Sequence, residues 1–264
     1  MLKNIISSMS VFGQLLYSDL VVFKPVYKSR LFDFFIYVAV NVVVMGYLLA
    51  RAGVAPDFGM FIAASCVGIS GRLETFTAIT RFVVDLTGNK IISYHITLPI
   101  PSWLAIVRVA ISDSLRSLSL GIFALPFGLL FVWNQFNFAN FSAIWFITLL
   151  ILNALFYGFL GIFFAGFADN INEVDPIWMR YLFPMWMMGC FQFSWQTLYE
   201  LSPVAAYGML FNPFVYHVEG MRAAILGQAG SLPVWGCFAA TLCFTIFFGF
   251  VGVRKVLKRL DAVR

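Results

Sequence analysis

Charge is scarce in this sequence. Asp, Glu, Lys and Arg supply only 11% of its 264 residues, and apolar side chains supply 61%. A soluble domain carries about 25% charged residues. No soluble fold of this length buries so much apolar surface, so lipid is the expected solvent for much of the chain. No polar stretch is long enough to form a second, soluble domain. Cysteine is nearly as scarce: Cys66, Cys190, Cys237 and Cys243 all lie in apolar segments, and none forms a CxxC pair. They read as small buried hydrophobes and not as disulfides or metal ligands.

Several catalytic signatures are absent as well. There is no GxxxxGK[ST] loop, so the chain is not expected to hydrolyse ATP itself. There is no HExxH. With only His95 and His217 in the chain, a zinc site lacks suitably spaced ligands. No GxSxG elbow is present. The opening segment holds Asp19 and scattered serines where a cleavable signal would have a compact apolar core. No repeat or low-complexity tract is visible. The net charge of +5 collects in the flanks of apolar runs, which fits the positive-inside rule better than nucleic-acid binding.

What is present is a series of long apolar runs. Over 1–30, Ile5, Met9, Phe12, Leu16, Leu20 and Phe23 recur at three- and four-residue steps, with Ser7, Ser10, Gln14 and Ser18 opposite. This predicts an amphipathic helix in the interface plane, ended by Pro25 and followed by Lys24, Lys28 and Arg30 as a basic flank. A cytoplasmic helix packed on protein is the plainer alternative. Six spans are expected within 31–253: about 31–50, 58–80, 103–133, 141–167, a fifth near 177–195, and 232–253. Each of the first four has at least the roughly twenty residues that cross a hydrocarbon core, and the third is long. The region 51–57 is expected as an outer turn, 134–140 as a second, and 169–175 as an acidic inner loop. The longest central polar stretch, 81–102, is expected inside. Between 196 and 231, short apolar pieces broken by turns suggest a re-entrant helical hairpin. Asn212 and Pro213 suit the N-cap and first position of its second helix, and Gly227 suits its end. The tail 254–264 is basic, so both termini are expected in the cytoplasm.

Charges inside spans are costly and are functional candidates. Arg72 and Glu74 are two apart and do not share a helix face, so each needs a partner elsewhere. An interhelical ion pair or snorkelling is the structural alternative. Arg108, Asp113 and Arg116 lie in the third span, where Asp113 and Arg116 are spaced to pair along their own helix. Glu219 and Arg222 are likewise three apart: a local structural pair, or a polar contact to substrate. Trp186, Phe191, Phe193, Trp195 and Tyr199 form an aromatic group that reads either as an interfacial belt or as a dry gate between two copies.

Three features in order resemble the membrane (permease) family of ABC type-2 transporters. They are the helix before the first span, the segment Tyr94-His95-Ile96-Thr97-Leu98-Pro99-Ile100-Pro101, and the segment Asn212-Pro213-Phe214-Val215-Tyr216-His217-Val218-Glu219-Gly220-Met221-Arg222-Ala223-Ala224-Ile225-Leu226-Gly227. The last is similar to the family's motif before the final span and is the most specific. Gly88–Ser93 departs from the family, whose members often carry a Glu there. The resemblance covers nearly the whole chain. It implies a permease subunit of a type-2 (type V) ABC exporter in the bacterial cytoplasmic (inner) membrane. This subunit would work as a dimer with a second copy or a related permease, on two cytoplasmic ATPase subunits that bind ATP and Mg. The permease itself would hold no cofactor or metal. The transported substrate would be a polysaccharide, a lipid-linked glycan or another hydrophobic or amphipathic compound. Arg81, Val83, Val84, Asp85, Lys90, Ile91, Ile92, Leu98 and Pro99 would couple to the ATPase, with Pro99 and Pro101 stiffening the joint to span three. Phe191, Phe193, Trp195 and Tyr199 would line the substrate path or gate. A lipid-processing membrane enzyme built on His217, Glu219 and Arg222, and a channel or secondary transporter, are the competing classes.

Overall fold

The computed structural model describes residues 2–48, 53, 58–95 and 97–262, with side chains from Ser8 onward and omitting those of 89, 93, 261 and 262. Every regular element among them is helical. They are α1 (Leu2–Asn41), running on as a π-helical stretch over Val42–Leu48; α2 (Phe58–Gly68); α3 (Arg72–Val84) with a π-helical end, Asp85–Asn89; and α4 (Ile91–His95). Next come α5 (Ser102–Val132), α6 (Ala143–Ala165), and α7, a continuous run of Val174–Ile177, the π-helical Trp178–Leu182 and Phe183–Met187. The chain ends with α8 (Trp195–Leu201), α9 (Pro203–Met209), α10 (Pro213–Leu226) and α11 (Val234–Ala262). Among the described residues, four segments are long and apolar enough to cross a membrane: Ser8–Leu48, Ser102–Gln135, Ala143–Ala165 and Val234–Leu260. The expected turn at 51–57 lies outside the described residues, except for Gly53.

Two boundaries differ from the sequence expectation. Pro25 does not end the first helix; α1 passes through it. Proline removes one backbone bond and crowds the preceding turn. Here tertiary contacts on either side hold the helix together: the Tyr27 hydroxyl donates to Ser119 O at 3.3 Å, and Arg116 lies 5.0 Å from the Phe23 ring. Membrane helices tolerate such a proline where neighbouring elements compensate. At 1.5 Å per residue, 40 helical residues run about 60 Å, roughly twice a hydrocarbon core.

The expected second span, 58–80, is two helices separated by a turn over 69–71. Packing against Tyr157 explains the break. Its hydroxyl donates to Gly68 O at 3.0 Å, and its own carbonyl accepts from Thr75 Oγ1 at 3.2 Å. A Cβ on Gly71 would stand 2.3 Å from the Tyr157 ring, so only glycine lets the turn seat there.

The short helix α10 occupies the centre. Nearly all its side chains are buried, and it packs on α2, α6 and α11. A Cβ on Gly68 would lie 2.7 Å from His217 O, which shows how closely the α2 and α10 backbones approach. Small residues at crossings serve this purpose where apolar burial does not drive association. The Asn212 cap forms as expected: its Oδ1 accepts from Phe214 N at 3.1 Å, with Pro213 at the first turn. Gly227 closes α10 at φ 99°.

Candidate functional site

Three polar clusters interrupt the apolar interior. The first gathers around the 81–101 segment. Arg81 pairs with Asp113 on α5, so the expected local pair between Asp113 and Arg116 does not form. Arg116 instead donates to Asp19 O on α1 at 2.9 Å. Helical spacing permitted the local pair, but α1 and α3 bring better-placed partners. Asp19 also forms an ion pair with Arg108, whose Nη2 lies 3.1 Å from His95 Nδ1. Burial, and next the Arg108 charge, lower the His95 pKa below the ordinary imidazole value. Ser8 Oγ donates to Pro99 O at 3.1 Å. The N-terminal half of α1 is thus strapped to the inner segment and to α5 around a cavity of about 260 Å³ whose lining includes Asp19, Arg81, His95, Arg108 and Asp113.

Within this segment the side chains divide by face. Asp85 accepts from Ile91 N at 2.9 Å and Ile92 N at 2.8 Å, capping α4, while Lys90 turns the chain with a left-handed φ of 53°. Val83 and Ile92 are buried in the chain's own core, so these two cannot insert into a partner as the sequence suggested, and Asp85 is buried as well and orients α4 within the chain. The reason is geometric: adjacent helical residues point about 100° apart, so Val83 and Val84 cannot share a face. Val84, Lys90, Ile91, Tyr94 and Pro99 are exposed, and Arg81 and Leu98 are half-buried. The exposed set forms an apolar ledge with one lysine, carried on a segment fixed by the Asp85 cap and the Arg81–Asp113 pair.

The second cluster is Glu219 and Arg222 on α10, both fully buried and 2.9 Å apart. Arg222 Nε and Nη2 donate to Ser65 Oγ at 3.0 and 2.8 Å. Its Nη1 reaches Phe193 O at 3.0 Å, and its Nη2 reaches the carbonyls of Cys190 and Phe191 at 2.5 and 2.9 Å. The Phe61 ring lies 3.6 Å below the guanidinium. Glu219 Oε1 also accepts from Trp195 N at 2.9 Å, and Oε2 from Leu232 N at 3.2 Å. One ion pair therefore ties α2, the 190–195 turn and the approach to α11 onto the central helix. Paired and hydrogen-bonded throughout, it meets the condition for keeping charges away from water. His217 sits elsewhere, 4.2 Å from the Phe156 ring and without a hydrogen bond among the described residues. It does not converge with Glu219.

The predicted gate residues separate. Phe191 is buried against Trp186, whereas Phe193 is half-buried and gives its carbonyl to Arg222. Half-buried Trp195 stacks on Tyr199 at 5.2 Å, and Tyr207 completes the cluster, with both tyrosines exposed.

The third cluster was not legible as such. Arg72 is buried among the rings of Trp186, Trp178 and Tyr37, at 3.8, 5.1 and 5.4 Å. It makes no ion pair among the described residues, and its Nε has no partner. The two tryptophans are eight apart, which an ordinary helix would separate by about 80°. The π-helical stretch at 178–182 widens the intervening turn and brings them to one face. Glu74 is also buried and lines, with Arg30 and Asp33, a cavity of about 380 Å³ just beyond this box. Arg72 and Glu74 thus have separate surroundings and do not pair. No protein-family model matches this sequence, and no curated protein matches it significantly.

Proposed function

We propose that this chain is the permease subunit of an ATP-driven exporter of the ABC type-2 kind. It would work as a dimer on two cytoplasmic ATPase subunits in the bacterial inner membrane, with both termini cytoplasmic. In this reading α2 with α3 forms the second span, α7 the fifth, and α8 to α10 a re-entrant region, giving six. The carrying observation is the exposed ledge of Val84, Lys90, Ile91 and Tyr94 on a braced segment. Most of the charged network surrounds that same segment. Force applied to the ledge would pass through Asp85, Arg81 and Asp113 into α5, and through His95, Arg108 and Asp19 into α1. ATP with Mg on the partner would supply the energy; this chain would supply the lever and the path.

The face bearing Arg72, Trp178 and Trp186 is the better candidate for the substrate path. It combines aromatic surface with an unpaired cation, which suits a polysaccharide or an anionic amphiphile. The lipid-processing alternative has less support, because Glu219 and Arg222 saturate each other and His217 stands apart. The test is gentle affinity purification from the native membrane with an ATP hydrolysis assay. A stoichiometric ATPase is expected; recovery of the chain without one would refute the proposal.

A further inference from the structure

An open groove runs between α7, α9 and α11. Its upper part encloses about 740 Å³ and is walled by Met185, Met188, Met209, Phe244 and Phe248. Its lower part, about 660 Å³, passes along the end of α6 past Phe163 and Phe167. Arg180 and Tyr181 line both parts. Arg180 is exposed, makes no ion pair or hydrogen bond among the described residues, and is the single charged group lining the upper part. Glu173 lines the lower part, but its oxygens are engaged by Asp169 N at 2.8 Å and Asn170 Nδ2 at 3.3 Å.

We infer that this groove is a binding site for an anionic amphiphile: a phosphate headgroup on Arg180 and its hydrocarbon chain in the upper groove. Charge and shape carry the argument. An unpaired guanidinium on an apolar helix calls for an anion, and arginine holds phosphate through two parallel hydrogen bonds. From Arg180 to Met188 the helix rises about 12 Å, room for most of an alkyl chain. The volume falls within the range of about 300–1,000 Å³ usual for ligand pockets. Flexible methionine walls adapt to a chain of no fixed shape. A second copy fits less well. Two-fold contact centred here would bring the same patch together and oppose Arg180 to its own copy, with no acid in the upper groove to separate them. The inference is independent of the ATPase, since it concerns binding to this chain alone.

The test uses the purified full chain in uncharged detergent. It is photolabelled with a diazirine-bearing alkyl phosphate, or with the same chain ending in a hydroxyl, and the labelled peptides are mapped. The phosphate probe is expected to label peptides holding Met185, Met188 and Met209 roughly tenfold or more above the alcohol, the factor that a charge-assisted hydrogen bond supplies. Arg180→Gln should bring labelling down to the alcohol level, and Arg180→Lys should keep part of the difference. Met209→Trp should fill the groove and remove labelling by both probes. Circular dichroism should stay unchanged in the exposed Arg180 variants, which keeps a loss of label from meaning a loss of fold. Equal labelling of wild type and Arg180→Gln, or labelling confined to other segments, would overturn the inference. So would labelling that appears only on dilution to a separated chain, because a second copy would then be the occupant.

Discussion

Replacing Arg222 by Met tests the buried core most severely. The five N–H groups of the guanidinium make six hydrogen-bond contacts, one hydrogen being shared, to Ser65 (twice), Phe193, Glu219, Cys190 and Phe191. Met matches much of its length and keeps contact with Phe61, so the loss is mainly polar. It leaves three carbonyls in an apolar setting and Glu219 without its cation. Removing one partner of a buried pair costs about 3–5 kcal/mol, since the remaining charge is stranded. With an unfolding entropy of about 2.1 cal/mol/K per residue, a chain of this size should melt roughly 5–9 °C lower. Glu219→Gln alone should also destabilise, leaving the arginine charge unmatched. The double variant Arg222→Met with Glu219→Gln strands no charge and should be more stable than the sum of the single losses implies, with a coupling of about 1–3 kcal/mol. The assay is thermal unfolding in detergent, followed by far-ultraviolet circular dichroism. A single Arg222→Met loss below about 1 kcal/mol, or strict additivity in the cycle, would refute the clamp.

The remaining predictions concern the other clusters. Val84→Asp and Ile91→Asp should each weaken ATPase assembly roughly thirtyfold, as loss of an interface anchor worth about 2 kcal/mol does. Val83→Asp should instead prevent folding, because that side chain is fully buried; equal assembly in all three variants would contradict the division of faces. His95 has a lowered pKa, so its neutral form stabilises the fold at and above the usual imidazole range, and that contribution is lost as pH falls through the folded value. Protection of amides 91–95 from hydrogen exchange, taken relative to the intrinsic rate at each pH, should therefore fall between pH 7 and 5 more in wild type than in His95→Gln; identical profiles would remove His95 from the brace. Arg72→Met should leave the melting temperature unchanged or raise it, since the cation has no counter-ion among the described residues, and on the proposed function it should slow export; a large loss of stability would make Arg72 structural.

Local signals in the sequence were legible where they needed no distant partner. Asn212, Pro213 and Gly227 mark α10 by their own backbone chemistry, and the apolar runs of α5 and α6 are long enough to read from hydropathy. What failed depended on neighbours. Pro25 reads as a stop, yet contacts at Phe23 and Tyr27 carry α1 through it. Asp113 has a helical neighbour in Arg116, yet Arg81 arrives from α3 and takes it. The expected second span breaks because Tyr157, more than eighty residues away, seats in the turn at Gly71. The Arg72 box depends on a π-helical stretch that shifts Trp178 and Trp186 into register, which no residue pattern announces. Arg222 was singled out by its spacing from Glu219, but its carbonyl partners in the 190–193 turn follow only from the fold.

On the proposed reading this chain is the membrane subunit of an ATP-driven complex, engaged through the Val84–Tyr94 ledge. The most direct measurement is co-purification from the native membrane, with ATP hydrolysis assayed on the isolated complex, for wild type and Ile91→Asp in parallel. The account predicts a stoichiometric ATPase and ATP turnover with the wild-type chain, and loss of both with Ile91→Asp. A wild-type chain that comes down free of any ATPase, or an Ile91→Asp variant that retains its partner in full, would contradict it.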